Sequence, residues 1–131
     1  RACDVSENIV PQTYIAEFSS REKAGQDLDV AAPGAWVVGP YQTNQSNRES
    51  LFFLSGTSMA SPHVAGIVAL MAQKKPNLTA AQAESILEDS AIELAAGCRN
   101  INNIAPTEVC WGTDATGAGL ATADAALAAT Y

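Results

Sequence analysis

The sequence predicts an α/β domain with a largely parallel sheet, in which a central helix starts at Ser58. Three observations carry this. Short apolar segments that read as strands are interleaved with helices. The stretch 58–73 is apolar on every side, as in a helix enclosed by a core. The stretch beyond 79 is amphipathic, as in a helix lying on the outside. With 131 residues, the chain is long enough for one domain, taken as residues 1–131.

In chain order, residues 1–8 are polar and show no period. Residues 9–18 include an alternation, with Tyr14, Ala16 and Phe18 opposite Thr13, Ile15 and Glu17, and read as a strand. Residues 19–26 form a charged loop. Residues 27–32 read as a short strand stopped by Pro33-Gly34, and 36–38 as another stopped by Gly39-Pro40. The Asn-, Gln- and Ser-rich stretch 41–50 is a surface loop. Leu51 to Leu54 is uniformly apolar and reads as a buried strand.

The helix at 58–73 carries Met59, Val64, Ala65, Ile67, Val68, Leu70 and Met71 around its circumference. Pro62 falls early in it, where a missing N–H is best tolerated. Thr79 then caps the second helix, and Gln82 completes a capping-box pattern. Ala83, Ile86, Leu87, Ala91 and Leu94 form its apolar stripe, while Glu84, Glu88 and Asp89 face water. Residues 95–119 read as a long loop, and 120–129 as a short Ala-rich helix with Thr122 as its cap. The few strands and lesser helices look too little to enclose an all-apolar helix. The chain therefore reads as part of a larger sheet.

Composition narrows the function classes. The net charge is −7 and no basic cluster exists, which argues against nucleic-acid binding. The longest apolar run, 64–72, is too short to span a bilayer. The first residue is Arg1, with no signal peptide in view, as expected of a processed product or a fragment. Of three cysteines, Cys98 and Cys110 flank a polar loop without zinc-like spacing. They fit either a disulfide, implying an oxidising compartment, or two buried free thiols. Cys3 is left over, free or paired outside this chain.

Ser58 stands where a tight turn at Gly56 becomes a helix. The first N–H groups of a helix lack internal partners and carry partial positive charge. They suit an oxygen that becomes anionic beside a nucleophile. The same pattern fits a Ser or Thr that only caps the helix. A serine nucleophile needs a base, and the base an orienting group. The one histidine, His63, lies five residues on, about 140° around the helix. It cannot serve Ser58 as base and reads as a structural residue with a core-side hydrogen bond. Lys74 and Lys75 sit at the far end of the helix. Asp27 and Asp29, two apart on the predicted strand, share a face and can hold a hard cation or simply form a solvated edge.

The run Gly56-Thr57-Ser58-Met59-Ala60-Ser61-Pro62-His63-Val64-Ala65-Gly66 resembles the serine motif of the subtilisin-like serine proteases, the subtilases. Phe18-Ser19-Ser20 and Leu28-Asp29-Val30-Ala31-Ala32-Pro33-Gly34 resemble the stretch leading to it. Pro76-Asn77-Leu78-Thr79, Gly119-Leu120 and the terminal helix resemble the family's sequence beyond that motif. The likeness is weakest at 41–50 and 98–116.

The resemblance implies a subtilisin-like fold and a secreted, extracellular or periplasmic, endopeptidase acting on peptides and proteins. Ser58 would be its acyl-forming nucleophile and the Ser58 N–H an oxyanion donor. Thr57 would assist, and Met59 would flank the nucleophile on the leaving-group side, open to oxidation. Pro62 and His63 would be structural. No cofactor is required, although some members hold a structural calcium or other cation near the stretch that contains Asp27 and Asp29.

The family's catalytic Asp and His motifs and its oxyanion Asn precede the matched region, and residues 1–57 contain none of them. The chain is therefore expected to be the C-terminal portion of a subtilase catalytic domain. Alone it would have little turnover, needing an N-terminal segment to supply Asp and His. The alternatives are one chain of a nicked two-chain protease, or a non-catalytic module that self-associates by strand exchange.

Overall fold

The computed structural model describes residues 12–40, 51–101 and 107–131. Cys3, the segment 1–8, the start of the expected strand at 9–18 and the loop 41–50 lie outside the described residues.

Among the described residues, eight elements succeed one another. Strand β1 (Val37–Pro40) pairs antiparallel with β2 (Leu51–Leu54), with Val38 opposite Phe53. Helix α1 (Thr57–Lys74) has 18 residues and α2 (Ala80–Ser90) has 11. Strands β3 (Gly97–Asn100) and β4 (Glu108–Trp111) form a second antiparallel pair, and a 3-10 turn (Thr113–Ala115) leads towards α3 (Ala123–Ala129).

The mostly parallel sheet is not what the described residues contain. Both ladders are antiparallel, and the one parallel pairing is a single bridge between Ala31 and Leu120. Residues 13–16 and 27–30 belong to no ladder. An isolated alternation stays extended only if a neighbouring strand takes up its N–H and C=O groups. Here Ala31 makes a bridge, its N–H donating to Gly119 O at 2.8 Å and its carbonyl accepting from Ala121 N–H at 2.9 Å, and the Asp29 carbonyl accepts from Ala118 N–H at 2.9 Å. Leu120 exchanges a second pair of bonds with Ile92, so residues 119–121 tie the 27–32 stretch to the end of α2. Gly119 has φ 132°, and a Cβ there would collide with the Ile92 carbonyl. Only glycine fits that position.

The core lies along one flank of α1. Ile67 and Met71 pack with Ala83 and Leu87 of α2 and with Ala121 and Ala126 at α3. A smaller cluster of Ile15, Leu94 and Ala115 sits beside it. Lys74 Nζ donates to Leu127 O at 2.6 Å, and the buried Thr130 hydroxyl donates to Ala126 O at 2.7 Å. These bonds fasten α3 to the C-terminal end of α1 and close its own last turn.

The described residues cover α1 on one flank only, as the shortage of strands and helices in the sequence implies. Only Ile67 and Met71 are buried, and Leu70 is 44% exposed. The helices α2 and α3 are too few to cover more than one flank. The strand β2 is also not buried, for Leu51 and Phe53 are each 66% exposed.

Helix α2 agrees closely with the sequence. Thr79 Oγ1 accepts from the Gln82 N–H at 3.3 Å, and Gln82 Oε1 accepts from the Thr79 N–H at 3.1 Å. Its stripe was expected to run to Leu94. The helix instead ends at Ser90, and Leu94 reaches the smaller cluster from the chain beyond.

The expected loop at 95–119 holds the β3–β4 hairpin. Cys98 and Cys110 face each other across it and form a disulfide, so the alternative of two buried thiols is excluded. At α3, Thr122 occupies the cap position without a side-chain cap bond. Its hydroxyl turns to Asp124, which together with the Ala125 N–H holds the Asp124 carboxyl below its ordinary value.

Candidate active site

Ser58 is the second residue of α1 and is exposed. It comes directly after the hairpin: β2 ends at Leu54, and Ser55, Gly56 and Thr57 turn the chain into the helix. The cap position is Gly56, with φ 155° and ψ 161°, and no side chain makes the cap bond. The reading of Ser58 or Thr57 as an N-cap is therefore corrected, and the Ser58 hydroxyl is not committed to the helix end. Met59 N–H donates to Gly56 O at 3.0 Å, which closes the first turn. The N–H groups of Thr57 and Ser58 have no carbonyl four residues back within the helix. They carry the positive end of its dipole to the Ser58 side chain.

Two further contacts fix this turn. Gly56 N–H donates to Gly34 O at 2.8 Å, and Trp36 N–H donates to Ser55 Oγ at 2.9 Å. A Cβ on Gly34 would stand 2.9 Å from Gly56 O and 3.3 Å from Ala60 Cβ. Gly34 is thus more than the punctuation after Pro33 that the sequence suggests. It lets two backbones touch and braces the nucleophile turn from behind. No local signal in the sequence pairs Gly34 with Gly56.

Pro62 is the sixth residue of α1, one turn beyond the tolerated start, so Ser58 C=O lacks the donor that an ordinary residue at 62 would offer. His63 is exposed, and its Nδ1–H donates to Met59 O at 2.7 Å in its own helix. The expectation of a core-side bond is corrected, while its exclusion as base stands. Lys74, sixteen residues along the helix, is about 24 Å from Ser58. Met59 is half-buried and Thr57 is exposed.

A cleft of 480 Å³ opens between α1 and the segments 12–20 and 28–35. Thr57, Ala60, Ser61 and Val64 line it but Ser58 does not, so this cavity is beside Ser58 rather than at it.

The strand that would bring Asp27 and Asp29 to one face is absent. Asp29 instead gathers with Glu84 and Glu88 of α2, their carboxylate oxygens within 4.8 Å of one another. Asp27 is not in that group. Three carboxylates offer three to six of the six to eight oxygens that calcium takes, according to whether each binds through one oxygen or two. Cys98, Glu108 and Cys110 also lie within 4.8 Å of one another, but their sulfurs are joined to each other and are not thiolates.

Comparison with known proteins places this arrangement. The family model described as "Subtilase family" matches residues 5–125. Subtilisin DY of Bacillus licheniformis is 44% identical over 79 residues, covering 60% of this chain and 26% of that protein. An extracellular protease of Xanthomonas campestris is 35% identical over 124 residues, covering 92% of this chain and 19% of that protein. Among solved structures, fervidolysin from Fervidobacterium pennivorans, a keratinolytic enzyme related to subtilisin, superposes with a TM-score of 0.57 at 32% identity. That match covers 77% of this chain and 15% of fervidolysin. The chain thus spans about a quarter or less of the length of these relatives and has their subtilisin-like α/β fold. With its motif intact around Ser58, the chain belongs to the subtilase family.

Proposed function

We propose that Ser58 is the nucleophile of a secreted serine endopeptidase that cleaves peptide bonds in proteins through an acyl-enzyme. The observation that carries this reading is the placement of Ser58. Its hydroxyl is exposed, free of any capping role, and set at the positive end of an 18-residue helix on a turn braced by Gly34 and Ser55.

In the reaction, Ser58 Oγ attacks the substrate carbonyl carbon and its proton passes to a histidine base. The carbonyl oxygen becomes an oxyanion that accepts from the Ser58 N–H. Collapse expels the amine with the proton from the histidine, and water then releases the acyl group by the same route. The chain's one histidine is held to Met59 O on another side of the helix. The histidine base therefore comes from polypeptide other than residues 1–131, and on the family's pattern the aspartate and the oxyanion asparagine come with it. On this reading, residues 1–131 are the C-terminal portion of the catalytic domain and turn over little alone. Loss of the base costs orders of magnitude even with the nucleophile present. The exposed disulfide favours an oxidising, extracellular setting.

Labelling with a fluorophosphonate tests the assignment. The full-length protein should be modified at Ser58, Ser58→Ala should abolish the modification, and residues 1–131 alone should label far more slowly. Absence of label on the full-length protein sinks the reading. The uncovered flank of α1 around Leu70 favours a second behaviour for the isolated chain, self-association. Sedimentation of residues 1–131 across concentrations should show it.

A further inference from the structure

Gly56 is the joint between the β1–β2 hairpin and α1, and a glycine sets no direction by itself. Its φ of 155° and ψ of 161° lie where other residues are rarely found, and its backbone is the least restricted of any residue. Its carbonyl accepts from Met59 N–H, which begins the helix, and its N–H donates to Gly34 O at 2.8 Å. One bond on the hairpin side fixes a point on the chain but leaves it free to swing about that point. A second bond is needed to fix the direction in which the chain enters α1.

That second bond comes from Ser55. Continuing the β1–β2 register beyond Val37 and Leu54 sets Trp36 opposite Ser55 and Ala35 opposite Gly56. The Gly56 N–H instead reaches Gly34, so the first strand takes in one extra residue, as at a β-bulge. Trp36 absorbs it with φ 55°, the one positive value among the described non-glycine residues. For a bulky side chain this is a true outlier, and such residues persist only where their surroundings hold them. Here the Trp36 N–H donates to Ser55 Oγ at 2.9 Å, a side-chain acceptor standing in where the regular ladder has ended. Bulges of this kind re-aim the chain beside active sites.

We propose that Ser55 is a positioning residue for the reaction at Ser58: by holding Trp36 N–H across the bulge, its hydroxyl oxygen sets the angle at which the chain enters α1, and so the aim of the Ser58 Oγ and N–H. This rests on the reading of Ser58 as nucleophile and deepens it by naming what aims it. Between the Ser55 bond and the first bond of the helix stands only Gly56, so a shift at Ser55 passes directly to the helix start. Both hairpin-side bonds lie within this chain, so the role does not depend on what covers the hairpin.

The test is made on the full-length protein, by acylation of Ser58 with a fluorophosphonate and by kcat and KM on a peptide substrate. Ser55→Ala removes the acceptor and should slow acylation about tenfold, as expected when a reactive oxygen is displaced by a fraction of an ångström. The value of kcat should fall by the same factor while KM and the melting temperature change little. A merely structural role would lower the melting temperature and leave kcat per folded molecule unchanged. Ser55→Thr keeps a hydroxyl and should restore the rate to within about twofold of wild type. A second pair of variants reads the same bond from its other end. Trp36→Asn loses the indole but keeps the N–H and tolerates positive φ, so its acylation should stay within about twofold of wild type. Trp36→Val, whose branched side chain resists that conformation, should slow acylation about as much as Ser55→Ala. If Ser55→Ala does not fold, this second pair decides. The inference is overturned if Ser55→Ala acylates at the wild-type rate, if Ser55→Thr is no faster than Ser55→Ala, or if Trp36→Asn and Trp36→Val react alike. Labelling of the wild type separates the two readings. Label at Ser58 that is indifferent to these changes rejects the role of Ser55 alone, and absence of label rejects both.

Discussion

Near the C-terminal end of α1, Ile67 and Met71 are enclosed by α2 and α3. At its N-terminal end, Ser58 and the hairpin before it stand in water. One helix thus joins two regions built by different means. The first is held by apolar burial, with Met71 and Ala126 fully enclosed. The second is held by a few directed hydrogen bonds, Gly56 N–H to Gly34 O and Trp36 N–H to Ser55 Oγ, about a glycine at φ 155°. Burial is non-directional and tolerates small shifts, whereas a reactive oxygen must be held to fractions of an ångström. The division teaches that stability and aim reside in separate parts of this chain. Substitutions in one should leave the other's measurable property nearly untouched.

The largest effect should come from the enclosed end. Met71→Ala empties a fully buried site and should cost about 2–5 kcal/mol in denaturant unfolding. Leu70→Ala, the adjacent residue on the uncovered flank, should cost less than about 1 kcal/mol. Equal costs would mean that both flanks of α1 are covered, and the comparison would fail at its first point.

Next comes the aimed end. Gly34→Ala puts a Cβ at 2.9 Å from Gly56 O, so the nucleophile turn must move by tenths of an ångström. The rate of fluorophosphonate acylation at Ser58 should fall about 10- to 100-fold, with little change in melting temperature. A variant that loses its stability but keeps its acylation rate would reverse the assignment of the two regions.

Thr79→Ala removes one half of a complete capping box, far along the chain from Ser58. It should cost about 1 kcal/mol of stability and leave the acylation rate unchanged, as read by denaturation and by labelling in parallel.

The same division governs what the sequence could reveal. The capping box at Thr79 and Gln82 and the stripe of Ala83, Ile86 and Leu87 are local and periodic, so they are visible in the residues themselves. The serine motif of the family is visible because it is contiguous. What escaped was whatever depends on a distant partner. The strand expected at 27–32 needed a neighbouring strand along its length, and the chain provides one bridge, at Ala31. The stretch 95–119 reads as a loop because its two strands are only four residues each. Only the cross-strand placement of Cys98 and Cys110 reveals their pairing. The apolar circumference of α1 was legible, but what lies over each side was not. The contact of Gly34 with Gly56 joins residues far apart in sequence and leaves no local trace.

The smallest effect, and the most specific to the enclosed end, concerns pH. Asp124 lies in the first turn of α3, where the Thr122 hydroxyl and then the Ala125 N–H favour its charged form and hold its carboxyl below the ordinary 3.8. A depressed folded-state value means that the unfolded chain binds the proton more readily than the folded one. The stabilisation is therefore present above the ordinary carboxylate value and disappears as pH falls through the folded value. Asp124→Asn removes this contribution at neutral pH. The melting temperature of the wild type should exceed that of Asp124→Asn by a small margin at pH 7. The margin should close as the pH is lowered through and below 3.8, at the same rate of Ser58 acylation in both proteins at pH 7. A margin that grows on acidification would show that the Asp124 charge opposes the docking of α3. An acylation rate that moves with it would show that the two ends of α1 are not separate after all.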